Sequence, residues 1–132
     1  VHSYIIDDDH VSVFLTEQAL RVEGVPKVTT FLSPEEALDR LKQEIPDKLP
    51  DFVLLDLNMP AMSGWELLDK LEPYEEEILN NTRVYILTSS LDHGDSAKSS
   101  DYSLVHGFIH KPLDREDVQT ILAQIEDNKQ SL

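Results

Sequence analysis

The chain has 132 residues, 40% of them hydrophobic, which suits one compact domain able to bury roughly two-thirds of its unfolded surface. It contains no cysteine, which excludes a disulfide framework, a thiol nucleophile and a thiolate metal site. A formal net charge of -15, with no membrane-length apolar stretch and no basic segment leading into an apolar one, predicts a cytoplasmic domain over residues 1–132 with no direct nucleic-acid or membrane partner.

The first apolar run, Ser3 to Ile6, ends in Asp7-Asp8-Asp9. One aspartate there is most simply a helix cap, and Asp9 is the expected one. In the following helix Val11, Phe14, Leu15, Ala19 and Val22 form the apolar stripe expected to pack on the sheet. Lys27 to Phe31 is a more polar run, as an edge strand would be. Ser33-Pro34-Glu35-Glu36 combines a capping serine, a first-turn proline and a glutamate three residues on, which fixes the start of a second helix with the stripe Leu38, Leu41 and Ile45. Phe52-Val53-Leu54-Leu55 is continuously apolar, the signature of a central parallel strand, and closes on Asp56. Trp65, Leu68 and Leu71 mark a third helix that Pro73 interrupts before Tyr74 to Leu79 restarts the pattern, so it is expected to be kinked or broken. Arg83 to Leu87 is a fourth strand running into Thr88-Ser89-Ser90. The segment after it is poor in apolar residues and strong helix formers, so the fourth helix should be short or marginal. Gly107 to His110 is a fifth strand ending at Lys111-Pro112, and Asp114 caps a last helix with the stripe Val118, Ile121, Leu122 and Ile125.

Strands alternating with helices predict a doubly wound parallel sheet with helices on both faces and strand order 2-1-3-4-5. Ligands bind such sheets outside the carboxyl ends of the strands, and this order makes the first and third strands neighbours. Asp7, Asp8 and Asp56 should therefore converge. Two unit charges about 4 Å apart repel by roughly 4 kcal/mol at an effective dielectric near 20, so the cluster requires a proton or a cation. A hard ion with oxygen ligands, Mg²⁺ above all, fits three carboxylates. A carboxylate beside Mg²⁺ can attack a phosphoryl group, and Lys111 and Thr88 reach the same edge to neutralise the transferred oxygens.

Asp7-Asp8, Asp56, Thr88 and Lys111-Pro112, in this order and on these strand ends, resemble the receiver domain of two-component response regulators, of the stand-alone single-domain type, over essentially the whole chain. Leu54-Leu55-Asp56-Leu57-Asn58-Met59-Pro60, followed by Ser63-Gly64-Trp65-Glu66, is similar to that family's phosphoacceptor segment. The resemblance implies a flavodoxin-like fold, Mg²⁺ as cofactor, and Asp56 as acceptor of a phosphoryl group from a phosphohistidine on a histidine kinase or histidine phosphotransfer protein. It implies Asp8 and Asp56 as direct Mg²⁺ ligands, Asn58 through its backbone carbonyl and Asp7 through water. Lys111 would bind the phosphoryl oxygens, and Thr88 would swing toward them and let Phe108 turn inward. The fourth helix, fifth strand and fifth helix would then change as an output face for a downstream protein. Asn58 and Ser90 hold the positions that tune the lifetime of the phosphoryl group, and the Lys111–Pro112 peptide should be cis. Two departures stand out: Ser89 replaces a frequent alanine, and Phe108 lacks the hydroxyl of a tyrosine.

Two other functions compete. A phosphatase of the haloacid dehalogenase type also uses an aspartate nucleophile with Mg²⁺, but it expects a second aspartate where this chain has Asn58, and a cap domain for which the chain has no room. A phosphorylation-independent binding module would keep the fold without the switch, against which stands the retention of Asp7, Asp8, Asp56, Thr88 and Lys111. No enzymatic turnover beyond self-phosphorylation from a phosphodonor and autodephosphorylation is expected.

Overall fold

The continuous apolar run Phe52–Leu55 (β3) lies at the centre of a parallel sheet, with all four residues buried. A computed structural model describes residues 1–89 and 93–130. Around β3 it sets His2–Ile6 (β1), Lys27–Phe31 (β2), Arg83–Thr88 (β4) and Val105–His110 (β5), in the order β2-β1-β3-β4-β5. Register carries the strand ends to one edge: Ile6 pairs with both Phe31 and Leu55, Leu55 with Ile86, and Thr88 with His110. β2, at an outer edge, keeps only Phe31 buried, as its polar composition predicts.

Side chains alternate across each strand, so the sheet has two apolar faces. Tyr4, Ile6, Val53, Leu55 and Ile86 face α2 (Pro34–Glu44) and α3 (Gly64–Leu71). Ile5, Leu54, Tyr85 and Leu87 face α1 (His10–Val22) and α6 (Arg115–Gln130), packing with Leu20, Val118, Ile121 and Ile125. Helix starts are set by local chemistry. Asp9 accepts the Val11 N–H at 3.0 Å, Ser33 that of Glu36 at 3.3 Å, and Ser63 that of Glu66 at 3.1 Å. Asp114 accepts the Asp117 N–H at 2.8 Å, while the Asp117 carboxylate accepts the Asp114 N–H at 3.1 Å.

Pro73 breaks the third helical segment into α3, a 3₁₀ turn at Glu72–Tyr74, and α4 (Glu75–Asn81). Among its described residues, the weak segment after β4 forms the seven-residue α5 (His93–Ser99). The fourth and fifth helices anticipated from the sequence are therefore α5 and α6. β5 begins at Val105, two residues before the expected Gly107, with a register shift between Val84 and Tyr85 on β4. Among the described residues no helix is long and apolar enough to cross a membrane.

One expectation fails. The stripe Val11, Phe14, Leu15, Ala19 and Val22 does not pack on the sheet: Val11 is 66% exposed, Phe14 61%, Leu15 55% and Val22 79%, with Ala19 only partly buried. The sheet instead receives Val13, Thr16 and Leu20. At 3.6 residues per turn these lie roughly half a turn from Val11, Leu15 and Val22, so α1 carries two opposed arcs of nonpolar surface and periodicity alone does not say which is inward.

Candidate functional site

Strand pairing fixes the two buried carboxylates before any side chain interacts. The Asp7 N–H donates to the Phe31 carbonyl at 3.0 Å and the Asp56 N–H to the Ile6 carbonyl at 2.9 Å, so both residues continue the ladder for one step beyond their strands. Asp7 is 2% exposed and Asp56 7%, while Asp8 is half-buried. One carboxylate oxygen from each of Asp7, Asp8 and Asp56 lies within 4.8 Å of the others. The convergence predicted from strand order is thus present.

Lys111 enters from the end of β5. Its backbone N–H donates to the Thr88 carbonyl at 2.9 Å, and the Lys111–Pro112 peptide is cis, as expected; Ile45–Pro46 is also cis. The Lys111 ammonium lies 2.7 Å from Asp7 Oδ2 and 3.8 Å from Asp56 Oδ2. The second Asp7 oxygen accepts the Asp9 N–H at 3.0 Å. Asp7 is therefore held from two sides, whereas Asp56 has the longer contact to the lysine. Burial first, and the Asp7 carboxylate next, push the Asp56 carboxyl up to about 6, against the opposing pull of Lys111 and a hydrogen bond from the Asn58 backbone.

Three carboxylates and one ammonium leave two negative charges in a pocket whose donors are all oxygen. That donor set fits Mg²⁺ better than a softer metal, which would favour nitrogen or sulfur ligands.

The other site residues fall around this cluster. Thr88 is fully buried at the end of β4, on the same sheet edge, and Asn58 is exposed beside Asp56. Phe108 is partly buried on β5, with its ring centroid 6.3 Å from that of Trp65. Ser90 lies outside the described residues. Gly64, which opens α3, has a role its place in the motif does not reveal. Its N–H donates to the Leu57 carbonyl at 3.0 Å, and a Cβ there would come within 2.7 Å of the Asp56 carbonyl oxygen. Only glycine lets α3 press this closely on the Asp56 backbone.

Beside the cluster runs a groove of about 260 Å³, lined by Asp9, Val11, Leu15, Lys111, Pro112 and Leu113 among others. The exposed arc of α1 is one of its walls, and Lys111 belongs to both the groove and the carboxylate cluster. Tyr102, which no sequence signal marked, stacks on Trp65 at 5.0 Å between centroids with 29° between planes.

The chain is similar to known proteins in sequence and fold. The response regulator receiver domain matches residues 4–123. The two-component response regulator ARR6 of Arabidopsis thaliana is 30% identical over 140 residues, covering 96% of this chain and 72% of that protein. The hybrid signal transduction histidine kinase L of Dictyostelium discoideum is 26% identical over 94% of this chain, which spans only 7% of that protein's length. Among solved structures, a two-component response regulator from Cytophaga hutchinsonii superimposes with a TM-score of 0.88 at 27% identity, covering 96% of each chain. With its strand order, its cluster of strand-end carboxylates and a match across nearly its whole length, the chain belongs to the response regulator receiver domain family of two-component signalling.

Proposed function

We propose that this receiver is a phosphorylation switch in which Asp56 takes a phosphoryl group from a phosphohistidine on a histidine kinase or histidine phosphotransfer protein. The observation that carries this reading is the juxtaposition of three carboxylate oxygens within 4.8 Å of one another with a lysine ammonium 3.8 Å from Asp56. Asp8 and Asp56, the Asn58 backbone carbonyl and, through water, Asp7 would hold Mg²⁺. Held by these residues, Mg²⁺ would supply positive charge to offset the carboxylates and the incoming phosphoryl oxygens.

In the transfer an Asp56 oxygen bonds to phosphorus as the phosphorus–nitrogen bond of the donor breaks. The electron pair stays on the imidazole, which is then protonated from solvent. Lys111 exchanges part of its pairing with Asp7 for the new phosphoryl oxygens, a short movement given its distances to both aspartates. The Thr88 hydroxyl moves toward the same oxygens, and Phe108 occupies the space this opens. The surface formed by α5, β5 and α6 then takes a second arrangement that a downstream protein recognises. Asn58 and Ser90, at the positions that tune this step in the family, set the lifetime of the acyl phosphate.

The donor docks on the exposed apolar arc of α1. Val11 and Leu15 line a groove that Lys111 also lines, so a partner seated there would bring its phosphoimidazole beside the acidic cluster, with the exposed Phe14 on the same arc.

Intact-mass measurement with Mg²⁺ and a small phosphodonor tests the switch. The wild type should gain one hydrolysable phosphoryl group, absent from Asp56→Asn. Lack of an adduct on the wild type would leave only a phosphorylation-independent binding role. Rapid, continuous turnover of a phosphomonoester dependent on Asp56 would instead establish a phosphatase.

A further inference from the structure

Trp65, the chain's one tryptophan, lies where four parts of the molecule meet. It follows Gly64, whose close approach to the Asp56 carbonyl clamps the start of α3 to the phosphoacceptor loop. Its ring stacks on Tyr102 from the turn before β5, and tilts at 45° toward Phe108 on β5 itself. From α5, the Lys98 ammonium lies 5.4 Å from the indole centroid, and the indole N–H donates a long bond of 3.4 Å to the Asp95 carboxylate. The Tyr102 hydroxyl in turn donates to Asp69 on α3 at 2.8 Å, fixing the ring that covers the indole.

The sequence of α5, His-Gly-Asp-Ser-Ala-Lys-Ser, offers one apolar side chain, Ala97, and it is exposed. With no apolar anchor among its described residues, α5 depends on polar and aromatic contacts, and those to Trp65 connect it to the loop that carries Asp56. Tyr102 also lines a cleft of about 350 Å³ between α3 and the turn before β5, with Asp69, Glu72, Glu75 and Asp101 around it and Lys98 of α5 among them. Across this mixed-charge cleft the Tyr102–Asp69 bond and the stack on Trp65 hold the two sides together.

We infer that Trp65, stacked by Tyr102 and contacted by Lys98 and Asp95, is the positioning residue that latches α5 in its resting place, and that phosphorylation of Asp56 acts on α5 by loosening this latch. The inference rests on the phosphoacceptor reading of Asp56 and adds the element through which this chain transmits it. Trp65 is held to both the phosphoacceptor loop and α5, and its ring borders Phe108. A displacement of α3 or of Phe108 therefore alters the stack, and α5 has no buried apolar residue to keep it in place once the stack is altered.

The test combines hydrogen exchange over residues 93–99, Trp65 emission and intact mass in the same samples, for the wild type, Tyr102→Leu, Tyr102→Phe and Lys98→Ala. Without a phosphodonor, Tyr102→Leu and Lys98→Ala should raise exchange over 93–99 several-fold, while Tyr102→Phe, which keeps the stack, should do so less. With Mg²⁺ and a phosphodonor, the wild type should show altered Trp65 emission and several-fold faster exchange over 93–99. Tyr102→Leu, phosphorylated to the same extent, should show little further change. Unaltered exchange in Tyr102→Leu and Lys98→Ala, or unaltered Trp65 emission in phosphorylated wild type, overturns the latch. A wild type that takes no phosphoryl group overturns the reading of Asp56, and the donor-free exchange comparison then still decides whether Trp65 holds α5.

Discussion

The two ends of the sheet hold their polar groups in opposite conditions. At the amino end the His2 N–H donates to the Asp51 carboxylate at 2.8 Å, the His2 ring meets the Thr29 hydroxyl at 2.9 Å, and the Thr82 hydroxyl donates to the Pro50 carbonyl at 2.6 Å. The fully buried Tyr4 donates its hydroxyl to Glu44, itself 3.4 Å from Arg40. Among the described residues the one buried side-chain nitrogen or oxygen without a partner is Arg83 Nε, also near this end. At the carboxyl end three carboxylates crowd one ammonium. Polar groups at one end stabilise the fold, while those at the other carry a charge imbalance that only a cation or a proton relieves. Arg83 Nε apart, these polar groups of the amino end are paired, and the unrelieved charge sits where the chemistry does.

Removing the imbalance should give the largest change in stability. The Asp56 carboxyl titrates at about 6 in the folded protein against 3.8 as a free side chain, so between these values the folded state holds a proton that the unfolded state has released. The penalty is absent below about pH 4, grows as pH rises to about 6, and is complete above it. In metal-free buffer at pH 7, Asp56→Asn should therefore be more stable than the wild type by on the order of 2–3 kcal/mol. Urea unfolding of both proteins from pH 4.5 to 7.5 checks this. A gap that stays constant across that range would locate the effect somewhere other than the titration of Asp56.

The opposite substitution at the satisfied end should have the opposite sign. Tyr4→Phe removes a hydrogen bond to a carboxylate while leaving the ring in place, and should cost about 1.5–2 kcal/mol in the same unfolding measurement. A cost below roughly 0.5 kcal/mol would mean that water replaces the phenol and that the amino end contributes less than its geometry suggests. A cation should then narrow the difference between the ends. Mg²⁺ at ten times its dissociation constant should stabilise the wild type by about 1.4 kcal/mol, and Asp56→Asn much less at the same concentration. Equal stabilisation of the two proteins would place the bound ion outside the carboxylate cluster.

The carboxyl end was the more legible in the sequence, because its signals are local. An unbroken apolar run fixes β3, a carboxylate ends it, and alternation of strands with helices fixes the neighbours that bring Asp7, Asp8 and Lys111 to Asp56. The break at Pro73 and the short α5 were legible for the same reason, through a residue that cannot continue a helix and a segment with too few helix formers. Tyr102 was not, since its partners Trp65 and Asp69 are more than thirty residues away and no periodic pattern connects them. The stack exists because β5 runs alongside β4 and returns the chain past α3, a tertiary fact without a local signature.

The rotation of α1 is not legible in its apolar spacing, for a reason that also yields the smallest predicted stability effect. Val11, Phe14, Leu15 and Val22 share one arc, and Val13, Thr16 and Leu20 share another. The more apolar arc was the natural one to turn inward. What decides between them is the helix entry: Asp7 is tied to Phe31 and Lys111, and Asp9 caps the first turn, so α1 leaves β1 already rotated. The apolar arc kept outward is the surface on which the proposed docking of a phosphohistidine donor can be tested. Phe14→Ala and Leu15→Ala should therefore alter stability by no more than about 0.5 kcal/mol, because both side chains are mostly exposed. Both should slow phosphoryl transfer from a phosphohistidine-bearing protein about tenfold, on the scale of losing roughly 1.4 kcal/mol of contact, while leaving phosphorylation by a small donor unchanged. Rapid-quench comparison of the two donors measures that ratio directly. A variant slowed equally with both donors would show that the arc shapes the acidic site rather than receiving the partner.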